Sequence, residues 1–400
     1  MTAAVTSIAA ATRAGAAHVW SQQAKLVNRD PQPIDHVGFN AAISADGQTA
    51  LAGTPAHAGF RGAAYVFVHH PSGWVQQAKL KANDLTPHDF RIDFGWAVAL
   101  SDDGNTAVVG APDKDLLTGA VYVFTRSGYK WSQTAEFQAD DATQFAEFGQ
   151  AVAVSHDGRT IVVGAPSDRK DAGAVYVFVR GESGYVQKAK LTVDTPPGLT
   201  WFGFSVAMGR DGSDIIAGAP LQNSFKGGAY IFSRSGAGWV QTAALPRHRG
   251  DGEFGHSVDI SHDGDVAIVG SPEGQGFAGA AYIYRLGAAG WRQSETISPP
   301  ATSAAGDFFG FSAALGHDAE TAVIGAPDYK GFIGAAYVYS LISNAWVQTA
   351  VLTATDGVPG DNLGFSVAMA RDANTVAVGA DNADFSATPD TGALCIFRRS

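Results

Sequence analysis

The sequence predicts an all-β fold, a closed seven-bladed β-propeller of four-stranded antiparallel blades, on three observations. A cassette of about 54 residues recurs seven times in register. Each cassette carries the pattern of four short strands. The two ends of the chain hold complementary parts of one blade. Repeats of this period mark a solenoid, a propeller or an array, and they take precedence over any local motif.

The register is set by three markers. The first is a glycine, usually after Phe: Gly38, Gly95, Gly149, Gly203, Gly255, Gly310 and Gly364. Eight residues after each stands an aspartate, from Asp46 and Asp103 through Asp157, Asp211, Asp263 and Asp318 to Asp372. Fifteen residues after each first glycine comes a second, from Gly53 to Gly379.

The second cassette shows how four strands arise. Trp96–Ser101 alternates small and large apolar residues, as a packed strand does. Asp102-Asp103-Gly104-Asn105 follows as a tight hairpin signal. Thr106–Gly110 is a β-branched run stopped by Pro112, and 119–124 is a third apolar strand. After the Ser127-Gly128 turn, Trp131 opens a fourth strand, with Gln133 two residues on. The same aromatic and glutamine recur in every cassette, from Trp20 and Gln22 to Trp346 and Gln348. The seventh cassette ends after its third strand, at Cys395-Ile396-Phe397, while an unattached fourth strand stands at the N-terminus as 20–26. An N-terminal strand that completes the last blade closes a ring and removes both sheet edges. The expected organisation is a flexible lead over 1–19 and one propeller domain over 20–400.

Phe-Gly-x-Ser-Val-Ala, Val-Gly-Ala-Pro and Gly-Ala-x-Tyr-Val-Phe together resemble the FG-GAP repeat of integrin α-subunit propellers and their bacterial relatives. The resemblance spans nearly all of 20–397. It implies the propeller fold and, for many members, a calcium loop of the form Asp-x-Asp-x-Asp-Gly between the first two strands. This chain departs from that loop: Ser44-Ala45-Asp46-Gly47 and Ser155-His156-Asp157-Gly158 offer one carboxylate each. That is too few oxygens for calcium. The aspartates are expected to form turns, with no metal and no cofactor bound.

A net charge of −11 argues against a nucleic-acid backbone as partner. The single cysteine, Cys395, excludes an intramolecular disulfide and is expected to be a buried packing residue. No run of eighteen apolar residues is present, so no membrane span is expected. Residues 1–19 lack a basic start followed by an apolar stretch, which favours a cytoplasmic over a secreted protein.

Loop lengths indicate where function sits. The second-to-third glycine spacing is nine residues in six cassettes and thirteen in the seventh. From the outer aromatic to the next first glycine, the chain takes sixteen residues at Trp239–Gly255 but twenty-one at Trp74–Gly95. In a meander both variable connections emerge on one face, and variation confined to one set of loops marks a binding surface on a rigid scaffold. The residue after each first glycine is Phe39, Trp96, Gln150, Phe204, His256, Phe311 or Phe365, with Trp201 and Phe308 just before two of the marker phenylalanines. Loops after the second strands add Phe60, Phe225, Phe277, Phe332 and Phe385.

The expected ligand-binding residues are Trp96, Trp201, Phe204, His256, Phe311 and Phe365, with His57, Arg61, Asp113, Glu273, Asp328 and Tyr329 supplying the rest of the rim. Aromatics with a few polar groups around a funnel suit a glycan or a small apolar molecule. The alternative is an enzyme that uses the same funnel for acid/base cyclisation or isomerisation of an apolar substrate, with Glu253, His256 and Asp93 as candidate acids and bases. No Gly-x-Ser-x-Gly elbow, His-Glu-x-x-His or phosphate loop names a reaction. A protein-interaction scaffold is the third class.

Overall fold

A computed structural model describes residues 19–86, 89–194, 198–247, 250–300, 305–384 and 388–400. Within them seven four-stranded antiparallel sheets are the blades of a propeller. Residues 1–18 of the expected N-terminal lead, and Phe385, lie outside the described residues. In blade two the order runs from the inner strand Val98–Leu100 through Thr106–Ala111 and Ala120–Ser127 to the outer Lys130–Phe137. Blade seven is completed from the other end of the chain. Its outer strand is Trp20–Leu26, paired antiparallel with Ala393–Arg399, Trp20 opposite Arg399 and Leu26 opposite Leu394. Cys395 is wholly buried on that last strand.

The marker glycines are the contacts between blades. Residues Glu147–Gln150 form a turn closed by the Gln150 amide on the Glu147 carbonyl (3.1 Å), and Gly149 takes φ +98° at its third position. A positive φ there is what glycine supplies without strain. The turn sets the Gly149 carbonyl against Gly110 of the preceding blade. A β-carbon at Gly110 would meet that oxygen at 2.0 Å, and the second glycine of every blade faces the same obstacle at 1.9–2.0 Å. The last step, Gly379 against Gly38, closes the ring.

The core lies between blades. Phe94, fully buried, stands edge-on to Tyr122 at 5.3 Å between ring centroids. Both belong to one apolar cluster with Leu51, Val66 and Leu80 of blade one. On the lower face, six of the seven hairpin aspartates serve their own turns, and Asp263 pairs with His262 instead. Asp157 accepts from Ser155 Oγ (2.7 Å) and the Arg159 amide (3.0 Å), and five other turn aspartates accept the amide two residues on.

On the upper face, six blades carry a four-residue left-handed turn after the second strand, such as Asp168–Asp171, with Arg169 at φ 54°, Lys170 at φ 60° and Asp171 at φ 65°. Runs of left-handed non-glycine residues cost about 1–2 kcal/mol per residue. Each run is held by bonds on both sides: Gly173 N to Asp168 O closes the turn, and the amides of Thr200 and Trp201 bond the Asp171 carbonyl. Strand-two loops and the incoming loops of the next blade are thereby fastened together on one face. Among the described residues no helix is long and apolar enough to cross a membrane.

Candidate ligand site in the axial channel

The seven inner strands surround an axial channel of 740 Å³. Its upper end is ringed by the residues that follow the first glycines. Their rings touch in sequence round the axis: Trp96–Phe39 at 4.5 Å, Phe39–Phe365 at 5.0 Å, Phe365–Phe311 at 4.9 Å, Phe311–His256 at 4.5 Å and His256–Phe204 at 5.2 Å. Gln150 stands at the remaining position. The result is a girdle of six rings with one polar interruption.

Just outside the girdle, a second column lies two residues before each first glycine: His36, Asp93, Glu147, Trp201, Glu253, Phe308 and Asn362. All seven have left-handed backbones, with φ between 52° and 59°. Non-glycine residues in this region point to function when the surroundings enforce the strain. The enforcement is visible here. The amides of Asp93, Glu147, Trp201, Glu253 and Asn362 each bond the carbonyl of the last residue in the preceding blade's left-handed turn. Trp201 lies nearly parallel to Phe204, 5.7 Å between centroids and 11° between planes, and its Nε1 is buried with no hydrogen-bond partner.

The FG-GAP repeat family model matches residues 74–124, 131–178 and 346–397. Each match starts in the outer strand of one blade and ends in the third strand of the next, so the repeat straddles two blades, and the last one overlaps the blade that closes the ring. Three stretches of the chain match the FG-GAP repeat, and the chain folds as a seven-bladed propeller.

In this propeller the expected site residues fall into two groups. Trp96, Phe204, His256, Phe311 and Phe365 line the channel, and Trp201 braces it. The others sit further out. Asp113 binds Arg91 (2.6 Å), which also holds Asp93 (2.8 Å). Glu273 stands close enough to Glu253 to disfavour its charge, and Asp307 does the same to Asp328. Arg61 donates to the Asp89 carbonyl (3.2 Å) and lines a separate 490 Å³ cavity in blade one. His57 and Tyr329 are not on the channel. They begin left-handed turns and point into the blade, where Tyr329 packs edge-on to Tyr337 and His57 is 2% exposed.

His57 belongs to a polar cluster that three blades build with different residues. In blade one, Asp35 accepts from His57 Nδ1 (2.9 Å), while Lys79 donates to His57 Nε2 (2.6 Å) and to Asp30 (2.6 Å). Blade two places the cation on the loop instead: Lys114 binds Asp84, and Glu136 replaces the outer-strand lysine. In blade three, Lys190 on the outer strand binds both Asp141 (2.6 Å) and Asp168 (2.7 Å). Each cation keeps its carboxylate, whichever strand or loop supplies it.

The protonation pattern at the upper mouth is specific. Burial, with help from Glu273, pushes the Glu253 carboxyl up to about 7. Burial lowers His256 to about 4, the Phe311 carbonyl opposing it by accepting from Nδ1 (3.0 Å). The pair lies 4.0 Å apart, Oε2 to Nε2, just beyond hydrogen-bond reach, so between about pH 4 and pH 7 a carboxyl proton donor faces a neutral imidazole acceptor. Burial and Asp113 push Asp93 up to about 7 against the pull of Arg91, and burial raises Glu147.

Two features of the channel escaped the sequence reading. The fourth residue after the first glycine is alanine in six blades and Asp259 in blade five. The seventh gives the lower mouth Asp102, His156, Arg210, His262, His317 and Arg371, with Ala45 in blade one. Ala45 is small enough for Arg371 of blade seven to pass over it and pair with Asp102 of blade two. A column-by-column comparison of the repeats would have found both.

Proposed function

We propose that the propeller binds a small ring-bearing ligand, a glycan unit or an apolar molecule, at the upper mouth of its channel. The observation that carries this reading is the asymmetric girdle: five carbon rings and one imidazole follow each other round the axis, broken only by Gln150. Flat apolar faces take the face of a ring, and the carboxyls of Glu147 and Glu253, just outside the girdle, would be the partners of its hydroxyl edges. One unsymmetrical mouth fits a single ligand better than seven equal sites.

The test is a glycan array together with a fragment screen by ligand-observed NMR, comparing wild type with the Trp96→Ala, Trp201→Ala double variant. Selective binding that the double variant loses supports the reading. Binding that survives it places the ligand elsewhere. A second reading, a docking surface for a protein, is favoured by Phe60, Phe225, Phe277 and Phe332 at the tips of the left-handed turns, where they are 41–53% exposed. Serine substitutions at Phe225 and Phe277 would disrupt such docking and leave small-ligand binding intact.

A further inference from the structure

Asp259 is a carboxylate without a countercharge on the wall of the channel. Its Oδ1 accepts from the Ile260 amide and its Oδ2 from the Leu315 amide of the next blade, both at 2.8 Å. No cationic side chain among the described residues pairs with it. The other charged residues lining the channel, Asp102 and Arg210, belong to the lower mouth. A half-buried carboxylate is costly unless paired, and two amides supply only part of what it loses in leaving water. Above it stands the girdle of aromatic rings, whose faces attract cations.

The two mouths differ in their ionisable side chains. The upper carries Asp93, Glu147 and Glu253, with Arg91 as the cation beside them. The lower carries Arg210, Arg371 and three histidines against Asp102, with the turn aspartates outside them.

We infer that the channel takes an organic cation, an amine or quaternary ammonium, seated between the aromatic girdle and Asp259. This deepens the ring-binding reading by naming the charge of the ligand, and it rests on that reading for the place of entrance. The probes are benzyltrimethylammonium and the neutral benzyl alcohol, titrated calorimetrically into the full chain. Asp259→Asn keeps one oxygen for the Leu315 amide and removes the charge, at the loss of the acceptor that meets the Ile260 amide. The expected result is ammonium binding to wild type that weakens roughly tenfold in Asp259→Asn and in Trp96→Ala. Benzyl alcohol should bind wild type and Asp259→Asn alike, which shows that the variant is folded around the ring site. Equal ammonium affinity in wild type and Asp259→Asn overturns the inference, as does no ammonium binding at all. If benzyl alcohol binds while the ammonium does not, the cation is wrong and the ring site stands. If neither binds, both readings fall.

Discussion

Gly110 lies against the carbonyl oxygen of Gly149 in the next blade, so closely that a β-carbon would come within 2.0 Å of it. The two glycines that head and close the repeat are thus a single contact, made once between every pair of blades. Backbone meets backbone there, and neither side can yield without moving a blade.

Gly110→Ala is therefore expected to cost more than about 3 kcal/mol, or to prevent folding, as overpacking against rigid backbone does. Gly128 is the control. It has φ +61° in an outer hairpin with no atom within 4 Å of a built β-carbon, and alanine there should cost only about 1 kcal/mol of backbone strain. Thermal denaturation of the two variants decides the matter, and equal losses would contradict the contact.

The lysine clusters predict a second difference. Lys114 is 9% exposed in its side chain and has Asp84 as its close partner, with Glu136 at 3.9 Å. Asp84→Asn leaves this lysine only the more distant Glu136 and is expected to destabilise by about 3 kcal/mol, near the lower end for breaking a buried pair. Asp141→Asn leaves Lys190 on Asp168 at 2.7 Å and should cost about 1 kcal/mol or less. Chemical denaturation at pH 7 measures both.

Glu253 gives a pH signature. Its carboxyl is raised to about 7 from an ordinary 4.5, so folding favours the protonated form. The penalty is absent below about pH 4, grows as pH rises, and is complete above about pH 7. Glu253→Gln removes it. The variant should match wild type at pH 4 and exceed it at pH 8 by about 2 kcal/mol, the full linkage value of about 3.4 kcal/mol being reduced by solvent screening of a partly exposed group. A variant less stable at pH 8 would show that the carboxylate is held by a partner instead.

Deleting residues 1–26 removes the outer strand of blade seven and bares the edge of Ala393–Arg399. Unpaired edges recruit other chains. Light scattering should show self-association of the shortened protein at concentrations where the full chain gives none. A stable monomer of unchanged melting temperature would mean that the strand is dispensable for closure.

Much of this could be read from the chain. Trp131, Gly128 and the Asp-Gly hairpins are local signals, and local signals decide strands and turns. His57 and Tyr329 show where that reading stops. Both begin loops on the variable face, the reason to expect them on a ligand, yet the left-handed turn points them into the blade. That turn depends on bonds from the following blade as well as on the loop's own residues. Trp201, Phe308, Asp93 and Glu253 were legible in the sequence; the structure makes them, with Glu147, His36 and Asn362, one column with one backbone conformation.

By itself, then, the sequence determined the number of blades, their four-strand order and the strand that closes the ring. Period, hairpin chemistry and the split last repeat are properties of neighbouring residues along the chain. Only the tertiary structure decided which residues meet on the axis. Seven positions about 54 residues apart become neighbours when the ring closes. Burial and charge, which raise Glu253, lower His256 and leave Asp259 without a counterion, are sums over those distant neighbours.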